Sequence, residues 1–157
     1  MVSNDGGQAQ PKVGGTPAPR SGERRLALAV GAVATIIAGL TIATVFSGFA
    51  ADATADGLYA ALVYLLVGVV FPRLYAIVTA VVAFSVSAII EFSQLTGLPA
   101  ALAGVFPPAR LVFGTTFVAT DLIFYALGAA LIAAGDVLVT RLVRRLRDRS
   151  GDTSRHP

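Results

Sequence analysis

Residues 26–51 contain no Asp, Glu, Lys, Arg or His. A helix rises about 1.5 Å per residue, so this run is long enough to cross about 30 Å of hydrocarbon. Lipid accepts only segments that satisfy their own backbone hydrogen bonds, and the run is therefore predicted to be a transmembrane helix. Composition agrees with an all-α membrane protein: the 157 residues are 55% hydrophobic and only 13% charged, with a mean hydropathy of +0.77. With Cys 0, a disulfide scaffold and thiolate-based metal or redox chemistry are excluded.

The few charges divide the remaining chain. Asp52 and Asp56 close the first run and read as ordinary loop residues, with Asp56 capping the second span. Arg73 separates a shorter second run from a third, which is apolar apart from Glu91 and Gln94. After Arg110 a final span begins with Thr120 or Asp121 in its first turns and ends before Arg141. The expected fold is a four-transmembrane-helix bundle within residues 24–145, with spans at about 26–50, 54–72, 74–96 and 118–140. Gly97, Pro99, Gly104, Pro107 and Pro108 predict an apolar, Pro-rich outer loop over 98–109. The stretch 98–116 reads either as interfacial or as re-entrant. The flanks, 1–23 and 146–157, read as disordered tails, the second of them basic.

Orientation follows from the arginines. Arg20, Arg24 and Arg25 precede the first span, Arg73 lies between the second and third, and Arg141, Arg144, Arg145, Arg147 and Arg149 follow the fourth. Basic flanks stay on the cytoplasmic side, so a multi-pass protein of a bacterial inner membrane with both termini cytoplasmic is expected. Gly48-Phe49-Ala50 resembles a signal-peptide cleavage site. The preceding apolar run, however, is much longer than such a peptide's core of about 7 to 15 residues, which favours an uncleaved anchor.

Chemistry in such a chain has to come from polar residues next to the bilayer. Ser87, Glu91 and Gln94 share one helical stripe, and Asp121, Tyr125 and Gly128 share another. Counted along a helix from Arg73 and Arg141, Glu91 and Asp121 lie about 27 and 30 Å away, at the outer boundary. Arg110, on the connection between these two helices, is expected to bridge to Asp121 or Glu91. Asp136 is expected to snorkel or to pair with Arg73 or Arg141.

Glu91-Phe-Ser-Gln94, the Pro-rich segment with Arg110, Phe113-Gly114-Thr115 and Asp121-Leu-Ile-Phe-Tyr125-Ala-Leu-Gly128 together resemble the family of small bacterial membrane proteins catalogued as domain of unknown function 2809. More distantly they resemble the VanZ-like family, whose members usually carry Asn in place of Tyr125. The resemblance spans roughly residues 50–142. It implies a four- or five-helix bundle of uncharacterised activity, with the VanZ-like relatives linked to teicoplanin resistance and the cell envelope.

Enzymatic readings fare poorly. His156 is the only histidine and falls in the expected tail, which removes a Ser-His dyad, a His-ligated zinc site and haem ligation within the bundle. No catalytic residue, metal or cofactor is assigned, and the basic residues lack the interleaved aromatics of a nucleic-acid site. The polar core Glu91, Gln94, Arg110, Asp121 and Tyr125 is either a ligand or cation site or a clamp that sets helix register. A purely structural membrane subunit and a small transporter are the alternatives, although Phe84, Ala80 and Ile77 offer no relay inward of Ser87. The expected partners are the lipid bilayer, an envelope ligand, and a second copy of the chain through the small-residue rows Gly31, Thr35, Gly39 and Ala126, Ala130, Ala134.

Overall fold

The computed structural model describes residues 21–152. Its elements are α1 (Ser21–Val45), α2 (Phe49–Val70), α3 (Ala76–Ser93), a single 3₁₀ turn (Gln94–Thr96), α4 (Leu98–Val105), α5 (Ala109–Phe113) and α6 (Asp121–Asp152). Four helical segments are long and apolar enough to cross a membrane: Gly22–Val45, Phe49–Val70, Ala76–Thr96 and Asp121–Val143. The fold is thus an all-α four-span bundle, with no strand among the described residues.

Helix α2 is the axis of the bundle and packs against α1, α3 and α6, while α3 also packs against α6. The core is a narrow seam of small side chains with a few large ones, including Ala60, Tyr64, Leu65, Ala83, Tyr125 and Ala129. Helix α1 joins it through Leu28 and Ala32 and otherwise turns Val30, Val33 and Ile37 outward. In water such exposure would be costly, whereas lipid chains cover it without penalty. Several threonine hydroxyls in these helices are satisfied locally. Thr35 donates to the Gly31 carbonyl at 2.9 Å, Thr41 to Ile37 at 2.8 Å and Thr54 to Ala50 at 2.7 Å, one turn back in each case.

The alternating helices give the bundle a basic end and an acidic end. Arg24, Arg73 and Arg141 lie at the first; Asp52, Asp56, Glu91 and Asp121 lie toward the second.

Several boundaries differ from expectation. Helix α2 starts at Phe49 rather than near 54, after Gly48 at φ 95°, so Asp52 and Asp56 are helical residues and Asp56 caps nothing. Helix α6 continues through Asp152, so residues 146–152 are helical rather than tail. Residues 1–20 and 153–157 of the expected tails lie outside the described residues.

The expected loop over 98–109 is instead two short helices. Pro99 occupies the first turn of α4, where its missing N–H has no intrahelical partner to lose. The Pro107-Pro108 pair falls in the break, with Pro108 at the N-cap of α5.

Candidate functional site

Glu91, on the last turn of α3, is 1% exposed, which demands compensation for its carboxylate. Its compensation comes from three donors. Tyr125 Oη donates at 3.0 Å and Gln94 Nε2 at 3.1 Å to one oxygen, and the Val118 backbone N–H donates at 2.7 Å to the other. Gln94 Nε2 also donates to the Phe113 carbonyl at 2.9 Å. Glu91 and Gln94 therefore fasten both arms of the α3–α6 connection to the end of the bundle. Phe92 and Phe117 stack beside this fastening, with ring centroids 5.7 Å apart.

Gly114 makes the fit possible. Its φ is 62°, a conformation that favours glycine, and a Cβ there would stand 2.7 Å from Gln94 Nε2.

Asp121 does not join Glu91 through a bridging cation. Asp121 instead lies beside Asp56, the two lining one hollow between the first turns of α2 and α6. The backbones dictate this meeting. A Cβ on Gly128 would lie 2.1 Å from the Gly57 carbonyl oxygen, so α2 and α6 cross in near backbone contact one residue beyond Asp56. Asp56, read from the sequence as an ordinary loop residue, is thus part of the site. Gly57 beside it, with Gly128 seven residues after Asp121, was the available signal, but pairing the two glycines required knowing that α2 and α6 are neighbours.

The expected bridge from Arg110 to Asp121 or Glu91 is not made. Arg110 is exposed on α5 and forms no ion pair among the described residues. The α4–α5 segment places it on the rim of a cleft of about 420 Å³, whose walls come from α1, α2, α3, α5 and α6. Ile36, Leu40, Leu58, Leu62 and Ile90 make most of the lining apolar, and Asp56, Tyr59, Gln94, Arg110 and Tyr125 supply polar groups. Tyr59 and Tyr125 pack with centroids 6.1 Å apart. A second, smaller hollow of about 340 Å³ lies on the other side of Asp56, between the first turns of α2 and α6, and is lined by Asp52 and Asp121. The described residues contain no group of three or more His, Asp or Glu side chains able to hold a metal ion.

Of the sequence-derived set, Glu91, Gln94 and Tyr125 are brought into direct contact, Asp121 shares a hollow with the unforeseen Asp56, and Arg110 stands apart. Ser87 is fully buried one turn below Glu91, and its hydroxyl has no hydrogen-bond partner.

The basic end carries a second polar knot. Arg24 Nη2 meets Asp136 Oδ2 at 2.8 Å, Tyr64 Oη donates to the same oxygen at 2.8 Å, and Arg24 Nη1 donates to the Pro72 carbonyl. The expected partners of Asp136, Arg73 and Arg141, are replaced by Arg24, because α1 lays its first turns beside the ends of α2 and α6.

Against known proteins, the family model described as protein of unknown function (DUF2809) matches residues 45–129, more than half of the chain. The chain belongs to that family. The match begins at the end of α1 and stops within α6 just past Gly128, so it contains every cleft-lining residue of α2, α3 and α5 together with Asp121 and Tyr125. No curated protein and no solved structure matches the chain.

Proposed function

We propose that this DUF2809 protein binds an amphiphilic envelope ligand in the outer half of a bacterial inner membrane, with both of its termini in the cytoplasm. The observation that carries the reading is the cleft of about 420 Å³, whose mostly apolar lining also includes Asp56, Gln94 and the exposed Arg110. Ligand sites commonly have this volume and this division, with apolar area holding the body and a few polar groups fixing one end. The arginine-rich end supports the orientation, since basic residues remain on the cytoplasmic side. The distant VanZ-like resemblance points to the same compartment. Glu91 serves the frame of this site: with three donors filling its oxygens, it holds the roof over the cleft and leaves recognition to its neighbours.

Native mass spectrometry of the protein released from mild detergent tests the reading. Gly39 lines the cleft and a Cβ there meets nothing within 4 Å, so Gly39→Phe is the variant chosen to occupy that space. Wild type is expected to retain one lipid-like molecule and Gly39→Phe to lose it. Equal retention by both, or none by wild type, contradicts the proposal. Because the chain has Cys 0, single cysteines at Ala51 and Arg145 give a clean test of orientation with an impermeant thiol reagent. Labelling from outside is expected at position 51 alone.

A further inference from the structure

The third span ends at Thr96 and the fourth begins at Asp121, so α4 and α5 lie at the acidic end, where the bundle leaves the membrane. The start of this arm continues from α3, and its end is tied back to the bundle at Phe113 by Gln94 and at Val118 by Glu91. Between these points α4 packs chiefly against α5 and the 3₁₀ turn, and Pro99 and Ala109 are the buried residues of the two helices. Most of the arm's surface is therefore turned outward.

That surface is apolar. Arg110 is the only Asp, Glu, Lys, Arg or His between Glu91 and Asp121. Leu98, Leu102 and Val105 recur at i, i+4 and i+7 and share one face of α4, where they are 69%, 43% and 87% exposed. Phe106, in the break, and Leu111 and Val112, on α5, are exposed as well. The opposite face of α4 carries Ala100 and Gly104, exposed but without a large side chain. Helix α4 is thus bulky and apolar on one side and nearly bare on the other.

What covers the bulky face is indicated by the surface it continues. Ile89, Phe92 and Leu95 are exposed on the third span, in the part of the bundle that lipid chains cover. Leu98, three residues after Leu95, carries this uncharged surface onto α4. Water rarely leaves so large an apolar patch uncovered, whereas a helix with one bulky apolar face lies along a bilayer surface with that face down.

We infer that α4 and α5 form an interfacial arm in the leaflet at the acidic end, with Leu98, Leu102, Val105 and Phe106 among acyl chains and Ala100 and Gly104 toward water. The exposed Arg110 then sits at headgroup level, its stem along apolar neighbours and its guanidinium among lipid phosphates. Because Arg110, Leu111 and Val112 also line the cleft, the arm's seat in lipid fixes one wall of the cleft at the leaflet surface. The arm is a membrane contact in its own right and needs no ligand in the cleft.

With Cys 0, single-cysteine spin labels on the full chain in vesicles of phosphatidylcholine and phosphatidylglycerol test the arm directly. Leu102→Cys and Val105→Cys report on the bulky face, and Ala100→Cys and Gly104→Cys on the bare one. Ile89→Cys is the lipid standard and Arg145→Cys the water standard. The four arm positions are exposed, and a Cβ at Gly104 meets nothing within 4 Å. Labels at 102 and 105 are expected to behave as at 89, keeping collisions with oxygen and losing those with a water-soluble nickel chelate. Labels at 100 and 104 are expected to admit the chelate, as at 145.

Chelate access at 102 and 105 equal to that at 145 places the arm in water and overturns the inference. Loss of chelate access at all four positions makes the segment re-entrant and overturns the interfacial seat. Shielding of 102 and 105 from both reagents overturns it as well, since a second copy of the chain then covers the face.

Discussion

The two ends of the bundle handle buried charge in opposite ways. At the basic end one arginine and one aspartate meet directly, a tyrosine hydroxyl and a backbone carbonyl complete the set, and the charges cancel. At the acidic end three carboxyl groups gather, one is saturated by hydrogen-bond donors, and the nearby arginine is held off on a separate helix. In the first kind the opposite charges meet directly, although the buried Arg24 Nε has no hydrogen-bond partner. The second arrangement has a firm half, Glu91 with Gln94, and an open half, Asp56 with Arg110. On the proposed reading, that openness makes one end a site and the other a fastening.

The contrast can be broken most forcefully at the closed knot. Asp136→Ala removes the anion from a partly buried Arg24, and loss of one partner of such a pair commonly costs about 3–5 kcal/mol; a large fall in the thermal midpoint in detergent is expected. Glu91→Gln comes next. It replaces a charged acceptor by an amide whose NH₂ faces existing donors, at about 2–3 kcal/mol by the same measurement.

Gly114→Ala is expected to cost about 1–3 kcal/mol, since alanine at positive φ is strained and its Cβ displaces the Gln94 amide. Its effect should shrink in a Gln94→Ala background, where that amide is gone. The smallest effects belong to the open half. Asp56→Asn and Arg110→Gln should each change stability by less than about 0.5 kcal/mol, or raise it for Asp56→Asn, because neither holds the frame.

The sequence disclosed some of this arrangement and concealed the rest for physical reasons. Long charge-free runs identify spans because hydrocarbon excludes charge, and the i, i+3 spacing of Glu91 and Gln94 puts both on one helix face whatever surrounds them. Asp56 was hidden because its role depends on the Gly57–Gly128 crossing, a relation between helices distant in sequence. The partner of Asp136 was hidden for the same reason: Arg73 and Arg141 are closer along the chain, yet Arg24 is the residue that α1 delivers to it. Arg110 was expected to neutralise the acids because it was the only basic residue on that side. The short helix α5, which Pro107 and Pro108 set apart from α4, holds it at the rim of the cleft instead.

The most direct test of the comparison is the shift in thermal midpoint that added short-chain phospholipid produces in wild type, Asp136→Asn and Gly39→Phe. A ligand that binds only the folded state raises the midpoint, whatever the starting stability. Wild type and the destabilised Asp136→Asn should shift upward by similar amounts, while Gly39→Phe should not shift. If Gly39→Phe responds as wild type does, or if Asp136→Asn alone loses the response, the acidic-end cleft is not the site that the contrast between the two ends makes it.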